Sequence, residues 1–196
     1  MEVVLATSNP GKAREARAIL EGSGLGVRSF DGWLGEVETG LSYLDNARLK
    51  ASAASRMVGV PVLAEDAGIE VDALDGLPGP RSGRFAGESA TPAQNNAKLL
   101  RLLEGIPLER RTARYRIVAV LLLPSGVEYV GEGTLEGRLL DAARGEGGFG
   151  YDPLFVPDGQ DRTVAEMRAD EKNVMSHRAL ALRDLLAKLP TRTAGR

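Results

Sequence analysis

Two adjacent carboxylates, Glu65 and Asp66, follow a short apolar stretch, and a third, Glu38, lies in a polar segment that could return to them. Oxygen ligands of this kind suit Mg²⁺, which proteins usually hold through one or two carboxylates together with substrate phosphates. A carboxylate beside such an ion can also orient or deprotonate water. The three residues therefore indicate a magnesium site for phosphoryl chemistry, with a solvated acidic turn as the alternative.

A candidate phosphate site is the segment Thr7-Ser8-Asn9-Pro10-Gly11-Lys12, which separates an apolar stretch from an Ala-rich helical segment. Unpaired N–H groups and the dipole at a helix N-terminus attract anions, and Lys12 adds a full positive charge. The alternative is that Asn9 only caps the helix. A Walker A loop is disfavoured, because Ala6 and Ala13 stand where that motif needs glycine and a hydroxyl residue.

A glycine-rich segment, 145–150, formally matches Gly-x-Gly-x-x-Gly, but Pro153 soon follows and leads into a strand instead of a helix. We therefore reject a dinucleotide-binding fingerprint. The glycines allow a ligand to approach the backbone closely, and Phe149 and Tyr151 offer a stacking surface for a flat base. An irregular turn with two core aromatic residues is the alternative.

Several side-chain donors occur near the start of the last helical segment, at Lys172, His177 and Arg178. A purine with a 6-oxo group presents an acceptor to such donors, whereas the amino group of adenine leaves them unpaired. This difference would select 6-oxopurines. The alternative is that Ser176 caps a helix and the next two residues are exposed.

Composition excludes several classes of protein. The chain has no cysteine, which excludes disulfides and thiolate chemistry. His177 is its single histidine, so multi-histidine zinc sites and most Ser-His-Asp triads are disfavoured. A net charge of -2 provides no general attraction to nucleic acid or anionic membrane. The longest apolar run, 117–123, is too short to span a bilayer, and the N-terminus lacks secretory-signal features. We expect a cytoplasmic protein with no nucleic-acid or membrane partner.

The elements that must position these residues mix strands and helices along the whole length, which predicts one α/β domain over 1–196. Strands are expected at 3–6, 26–30, 61–64, 69–71, 114–123, 126–137 and 154–156. Helices are expected at about 10–22, 42–57, 92–104 and 176–189. The acidic pair then falls at a turn between two strands, and the tail at 191–196 is expected to be frayed.

Taken together, these segments resemble the inosine triphosphate pyrophosphatase family, which acts on ITP, dITP and XTP, over nearly the whole chain. The ordered motifs are Thr7 to Lys12, Glu38-Thr39-Gly40 with Asn46-Ala47 and Lys50, Glu65 to Leu74, Phe149-Gly150-Tyr151-Asp152-Pro153 and Ser176-His177-Arg178. The resemblance implies an elongated mixed sheet with flanking helices, two lobes with an active-site cleft between them, and a homodimer. It also implies Mg²⁺-dependent hydrolysis of the bond between the α and β phosphates, which yields a nucleoside monophosphate and pyrophosphate.

By the same resemblance, the segment from Thr7 to Lys12 holds the triphosphate. Glu38 and Asp66 lie at the magnesium, Glu65 supports that site, and Asp66 acts on the attacking water. Many members have Asp-Asp-Ser-Gly where this chain has Glu65-Asp66-Ala67-Gly68. Ala67 therefore offers only its backbone N–H to the substrate.

At the other end of the substrate, the resemblance implies that Phe149 to Asp152 line the base pocket, with Phe149 stacked on the base. Lys172 contacts the nucleotide, while His177 and Arg178 read the 6-oxo edge. Two alternatives stay open at this point. One is a metal-dependent phosphatase that releases orthophosphate, and the other is a non-catalytic nucleotide sensor or RNA-binding module.

Overall fold

The computed structural model of the 196-residue chain describes residues 1–30, 32 and 39–190. The strands are β1 (Glu2–Leu5), β2 (Gly26–Ser29), β3 (Val62–Val71), β4 (Thr112–Leu122), β5 (Glu128–Leu139) and β6 (Phe155–Pro157). The helices are α1 (Pro10–Leu20), α2 (Tyr43–Val58), α3 (Pro92–Leu102), α4 (Ala169–Met175) and α5 (His177–Ala187). Glu38 and the tail at 191–196 lie outside the described residues, so the expectations for both stay predictions.

One six-stranded mixed sheet, in the order β2-β1-β3-β4-β5-β6, organises the chain. β1 runs parallel to β2 and β3, and the pairs β3/β4, β4/β5 and β5/β6 are antiparallel. The expected α/β class with an elongated mixed sheet is confirmed. β1 pairs with β3 only as far as Leu63, whereas β3 continues to Val71. This difference in length leaves part of one edge of β3 beyond the end of β1.

The expectation of a turn at Glu65-Asp66-Ala67-Gly68 is wrong, because these residues lie inside the continuous strand β3. Their backbone pairs without a break with residues 116–119 of β4. Polar side chains are tolerated in this buried strand because Glu65 and Asp66 each have a charged partner from a helix. At Gly68, an added Cβ would lie 2.2 Å from the carbonyl oxygen of Gly79, so only glycine fits this crowded position.

Helices cover both faces of the sheet and carry small residues where they approach it. On one face, α1 and α5 pack through Ala16 and Leu182 against Leu63 and Ile117. On the other face, Ala47, Ala51 and Ala54 of α2 pack against alternate residues of β3 and β4. Alternation along β3 therefore determines which helix each side chain meets.

The cap at Ser176 and the two long strands expected at 114–123 and 126–137 are confirmed. Ser42, Thr91 and Ser176 cap α2, α3 and α5 through their side chains. β4 and β5 form a hairpin, in which Gly126 of the turn has a positive φ of 87°. Helix α4 was not expected, because its seven residues are mostly polar and too few to show a period. Within the described residues, no helix has the length and apolar character needed to cross a membrane.

Candidate active site

A cleft of about 1000 Å³ lies along the edge of β3 that β1 leaves open. Its walls come from the loop after β1, the residues from Ala67 to Ile69, the segment 77–84, the turn at 149–152 and the start of α5. The carboxyl end of a strand in an open α/β sheet is a common place for a ligand. Residues that are far apart in the sequence therefore face one common space.

The loop after β1 combines a helix cap with one wall of the cleft. Asn9 Oδ1 accepts hydrogen bonds from the N–H groups of Gly11 and Lys12, at 2.8 and 3.2 Å. Thr7 Oγ1 accepts from the N–H of Asn9 at 3.2 Å. The interpretation of Asn9 as a helix cap is therefore correct. The same loop also forms part of the cleft wall, which is lined by Thr7, Ser8, Asn9 and Lys12. Pro10 is the first residue of α1 and does not line it.

Asp66 is held by two side chains of α2 on one face of the sheet. Its Oδ2 accepts from Asn46 Nδ2 at 3.0 Å, and its Oδ1 accepts from Lys50 Nζ at 2.9 Å. Asn46 Oδ1 also accepts from the N–H of Gly40 at 2.8 Å. Asp66 is only 3% exposed, and Lys50 links it to the cleft, whose wall Lys50 lines.

Glu65 lies on the opposite face, where it pairs with Arg178 of α5. Arg178 Nε donates to both carboxylate oxygens of Glu65, at 2.9 and 3.0 Å, and Nη1 donates to Glu15 of α1. Both members of the Glu65–Arg178 pair are buried. Within residues 1–30, 32 and 39–190, no three acidic or histidine side chains form a group that could hold a metal ion. Glu65 and Asp66 therefore belong to two different polar clusters.

A network around Asp152 holds the turn that carries Phe149. Asp152 Oδ2 accepts from the N–H of Phe149 at 2.9 Å and from Lys172 Nζ at 2.7 Å. Its Oδ1 accepts from the hydroxyl of Tyr115 at 3.0 Å. The Phe149 ring lies against two cations, 4.6 Å from Lys172 Nζ and 5.7 Å from Arg178 Cζ. Such contacts with the face of a ring are favourable.

Burial, together with nearby charges, alters the pKa values of two cleft residues. Burial, assisted by the charge of Lys50, lowers the pKa of Lys12. Burial, assisted by Arg178 and Lys172, holds the pKa of His177 well below its usual value of 6.5. His177 is therefore neutral near pH 7 and offers one ring donor and one ring acceptor. In both cases a nearby cation adds to the effect of burial.

A model of the Ham1 family matches residues 3–188, which is nearly the whole chain. The chain belongs to the Ham1 family. It is 52% identical to a dITP/XTP pyrophosphatase of Symbiobacterium thermophilum, over 96% of this chain and 94% of that protein. Two solved structures are also similar. A HAM1 protein from Coxiella burnetii has a TM-score of 0.82 at 34% identity, over 95% of this chain and 97% of that one. A nucleoside-triphosphatase / dITP/XTP pyrophosphatase from Mycobacterium abscessus has a TM-score of 0.74 at 40% identity, over 97% and 98%.

Most of the site residues predicted from the sequence of this Ham1 chain line the cleft. Those that line it are Thr7, Ser8, Asn9, Lys12, Ala67, Phe149, Gly150, Tyr151, Asp152, Lys172, His177 and Arg178. Gly11 lies directly behind the wall, because a Cβ there would be 3.0 Å from the Phe149 ring. Glu65 and Asp66 are buried next to lining residues.

The structure adds residues to which the sequence analysis gave no role. They are Glu15, Asn46, Lys50 and Tyr115, each hydrogen-bonded or ion-paired to a residue selected from the sequence. Asn46 and Lys50 were quoted from the sequence only as motif residues, and one local signal could have indicated their role. Asn46 and Lys50 are four residues apart on the buried alanine-rich face of α2, where polar residues need partners. Tyr115 and Glu15 have no comparable local signal.

Proposed function

We propose that this Ham1 chain hydrolyses the non-standard purine nucleoside triphosphates ITP, dITP and XTP to nucleoside monophosphates and pyrophosphate. Its similarity to dITP/XTP pyrophosphatases supports this activity. The observation that carries the proposal is that one cleft joins a cationic loop at a helix N-terminus to an aromatic turn beside His177 and Arg178. A nucleoside triphosphate has the matching order of groups, with phosphates at one end and a flat base at the other.

The triphosphate belongs at the N-terminus of α1. There, Lys12 and Lys50 provide two ammonium groups in the wall of the cleft, and the helix dipole adds to their attraction for anions. The lowered pKa of Lys12 reflects, after burial, its proximity to another cation. Phosphate oxygens would relieve this repulsion. They would also compete with Asp66 for Lys50, which would leave the carboxylate available to other partners.

Selection of a 6-oxo base is supported by the donors at the start of α5. Arg178 Nη2 is buried and has no hydrogen-bond partner among the described residues, and such an unsatisfied group costs roughly 1–3 kcal/mol. The oxygen at position 6 of hypoxanthine or xanthine is an acceptor, whereas the amino group of adenine is a donor. Arg178 lines the cleft with its guanidinium carbon 5.7 Å from the centre of the Phe149 ring, so one base can meet both groups.

Mg²⁺ fits Asp66 better than Glu65. Each oxygen of Asp66 already accepts one hydrogen bond, which leaves each one a further lone pair. A Mg²⁺ ion needs few protein ligands when substrate phosphates and water complete its shell, and when bound it neutralises phosphate charge. We assign Asp66 to this ion, with Glu38 as its predicted second ligand. Glu65 is instead assigned to holding Arg178, because it lies on the opposite face of β3 in a buried ion pair with that guanidinium.

For the reaction itself, Asp66 is the proposed base. Its carboxylate, held in place by Asn46, accepts a proton from water as the water oxygen bonds to the α-phosphorus. The bond between the α-phosphorus and the bridging oxygen breaks, and pyrophosphate leaves with the electron pair. Lys12 stabilises the negative charge that develops on the leaving group.

Product analysis tests the proposal. Purified protein with Mg²⁺ should convert ITP, dITP and XTP to monophosphate and pyrophosphate, with little turnover of ATP. Release of orthophosphate instead would favour the phosphatase, and the absence of all turnover would favour a non-catalytic nucleotide-binding protein.

The role of Asp66 is tested by Asp66→Asn. We expect kcat to fall by at least about a hundredfold while ITP still binds, as for loss of a general base. Asp158→Asn, which changes an exposed aspartate, is the matched control and should be as active as the unmodified protein. An Asp66→Asn protein with normal kcat would contradict the assignment.

A homodimer is also part of the proposal, and sedimentation of the purified protein tests it.

A further inference from the structure

Tyr115 of β4 lies in the wall of the cleft between two base-pocket residues that come from different parts of the chain. Its ring is stacked on the imidazole of His177, with ring centroids 4.7 Å apart and an angle of 11° between the planes. Its hydroxyl donates to Asp152 Oδ1 at 3.0 Å. Tyr115 therefore connects the start of α5 to the turn at 149–152.

The hydroxyl of Tyr115 completes a set of three donors on one carboxylate. Asp152 accepts from Tyr115 through Oδ1, and from the N–H of Phe149 and Lys172 Nζ through Oδ2. Asp152 is 2% exposed, so these protein donors occupy a carboxylate that has little contact with solvent. Loss of one buried donor would allow the carboxylate, and the turn that it holds, to move.

The ring of Tyr115 has a separate role in the packing. It meets the Phe155 ring edge-on, with centroids 4.8 Å apart and an interplanar angle of 61°. Phe155 thus supports one side of the Tyr115 ring, and Tyr115 in turn supports His177. Burial, assisted by the Asp152 carboxylate, raises the pKa of Tyr115 well above 10, so the hydroxyl remains a donor at neutral pH.

We propose that Tyr115 is a positioning residue for base selection, in which the ring sets the plane of His177 and the hydroxyl holds Asp152 and the Phe149 turn. The inference rests on the proposed function, because it assumes that His177 and the turn contact a purine. It goes beyond that function by assigning part of the selectivity to a β4 side chain that acts through its neighbours.

The two parts of the role are separated by substitution. Tyr115→Phe keeps the stack on His177 and removes only the hydroxyl. We expect the ratio of kcat/KM for ITP to kcat/KM for ATP to fall about tenfold, as for one misplaced polar contact in a specificity pocket. The change should appear mainly as a higher KM for ITP, with kcat altered less than about threefold. Tyr129→Phe is the matched control and should leave the ratio unchanged, because Tyr129 lies on β5 and packs against a cluster of apolar residues that does not include Tyr115.

A spectroscopic readout tests the ring without any nucleotide. His177 is the single histidine of the chain, so its imidazole gives one set of NMR resonances. The parallel ring of Tyr115 should shift these resonances strongly. Tyr115→Phe should preserve that shift, whereas Tyr115→Leu should abolish it and lower the ITP preference further.

The outcomes distinguish this inference from the proposed function. If the unmodified protein turns over no nucleotide, the proposed function fails, and the ratio of ITP to ATP affinities from calorimetry replaces the kinetic ratio. A Tyr115→Phe ratio within twofold of that of Tyr129→Phe would overturn the role of the hydroxyl. Unchanged His177 resonances in Tyr115→Leu would overturn the role of the ring.

Discussion

Replacing Glu65 by glutamine removes one charge from a buried ion pair and keeps the size of the side chain. In the folded protein, the side chains of Glu65 and Arg178 are each 1% exposed. Arg178 Nε contacts both carboxylate oxygens, at 2.9 and 3.0 Å. Glu65→Gln would therefore leave the guanidinium with Glu15 as its remaining carboxylate.

The expected loss of stability follows from this geometry. Removing one partner of a buried ion pair typically costs about 3–5 kcal/mol. We expect about 3 kcal/mol, the lower end, because Glu15 still accepts from Arg178 Nη1. A chain of this size loses roughly 2–4 °C of Tm per kcal/mol. The predicted decrease in Tm is therefore about 6–12 °C.

Urea unfolding in the presence of a magnesium chelator measures the free energy of unfolding without a contribution from metal binding. Glu128→Gln is the matched control, because Glu128 pairs with Arg48 at the surface, where the two side chains are 33% and 47% exposed. Exposed pairs contribute little, so this change should cost less than about 1 kcal/mol. The double variant Glu65→Met with Arg178→Met should recover most of the stability lost in Glu65→Gln, because a buried ion pair can be replaced by apolar residues of similar volume.

One combination of results would refute this reasoning. If Glu65→Gln costs no more than Glu128→Gln and instead raises the Mg²⁺ concentration needed for activity, Glu65 serves the metal and not Arg178. A loss near 3 kcal/mol with an unchanged Mg²⁺ requirement would support its assignment as the partner of Arg178.

Two further predictions concern the position and ionisation of α5. Gly133→Ala would place a Cβ 2.1 Å from the carbonyl oxygen of His177, so α5 must shift, and we expect a loss of about 1–3 kcal/mol in urea unfolding together with a weaker ITP preference. The neighbouring exposed change Thr134→Ala is the control, and equal stability of both variants would contradict the close packing. The pKa of His177 lies well below 6.5 in the folded protein, so the unfolded chain takes up the proton first as pH falls. The free energy of unfolding should therefore decrease below about pH 6.5. His177→Asn should reduce this dependence, and an identical pH slope in both proteins would argue against a buried neutral imidazole.

Local chemistry predicts much of this fold. Cap residues at Ser42, Thr91 and Ser176 mark where helices begin, because a side-chain oxygen there satisfies a backbone N–H that the helix cannot. The alternation and the Pro-Ser-Gly turn of the long hairpin are likewise local signals. Helix α4 has no such signal. Its seven residues are stabilised by contacts of the fold, such as Lys172 with Asp152, twenty positions earlier.

The sequence predicts which segments form the candidate site better than it predicts the contacts between their side chains. The loop at Thr7 to Lys12, the turn after Phe149 and the start of α5 were each selected from the residues, and the fold places them around one cleft. Their partners were not predicted, because the contacts join distant parts of the chain. Arg178 and Glu65 are 113 positions apart, and Tyr115 and Asp152 are 37 apart. Only the arrangement of α5 and β4 around β3 brings such pairs within hydrogen-bonding distance.

Whether Glu65 and Asp66 lie in a turn or in a strand decides which partners the two carboxylates can meet. In a turn, Glu65 and Asp66 could face one ion together. In a strand, successive side chains point to opposite faces, so Asp66 meets Asn46 and Lys50 of α2 while Glu65 meets Arg178 of α5. Because both leave the same hydrogen-bonded strand, β3 holds the proposed catalytic carboxylate at a fixed distance from the guanidinium proposed to read the base. Under these proposed roles, the strand links base recognition to the place where the phosphate bond is broken, which a flexible acidic turn would not do.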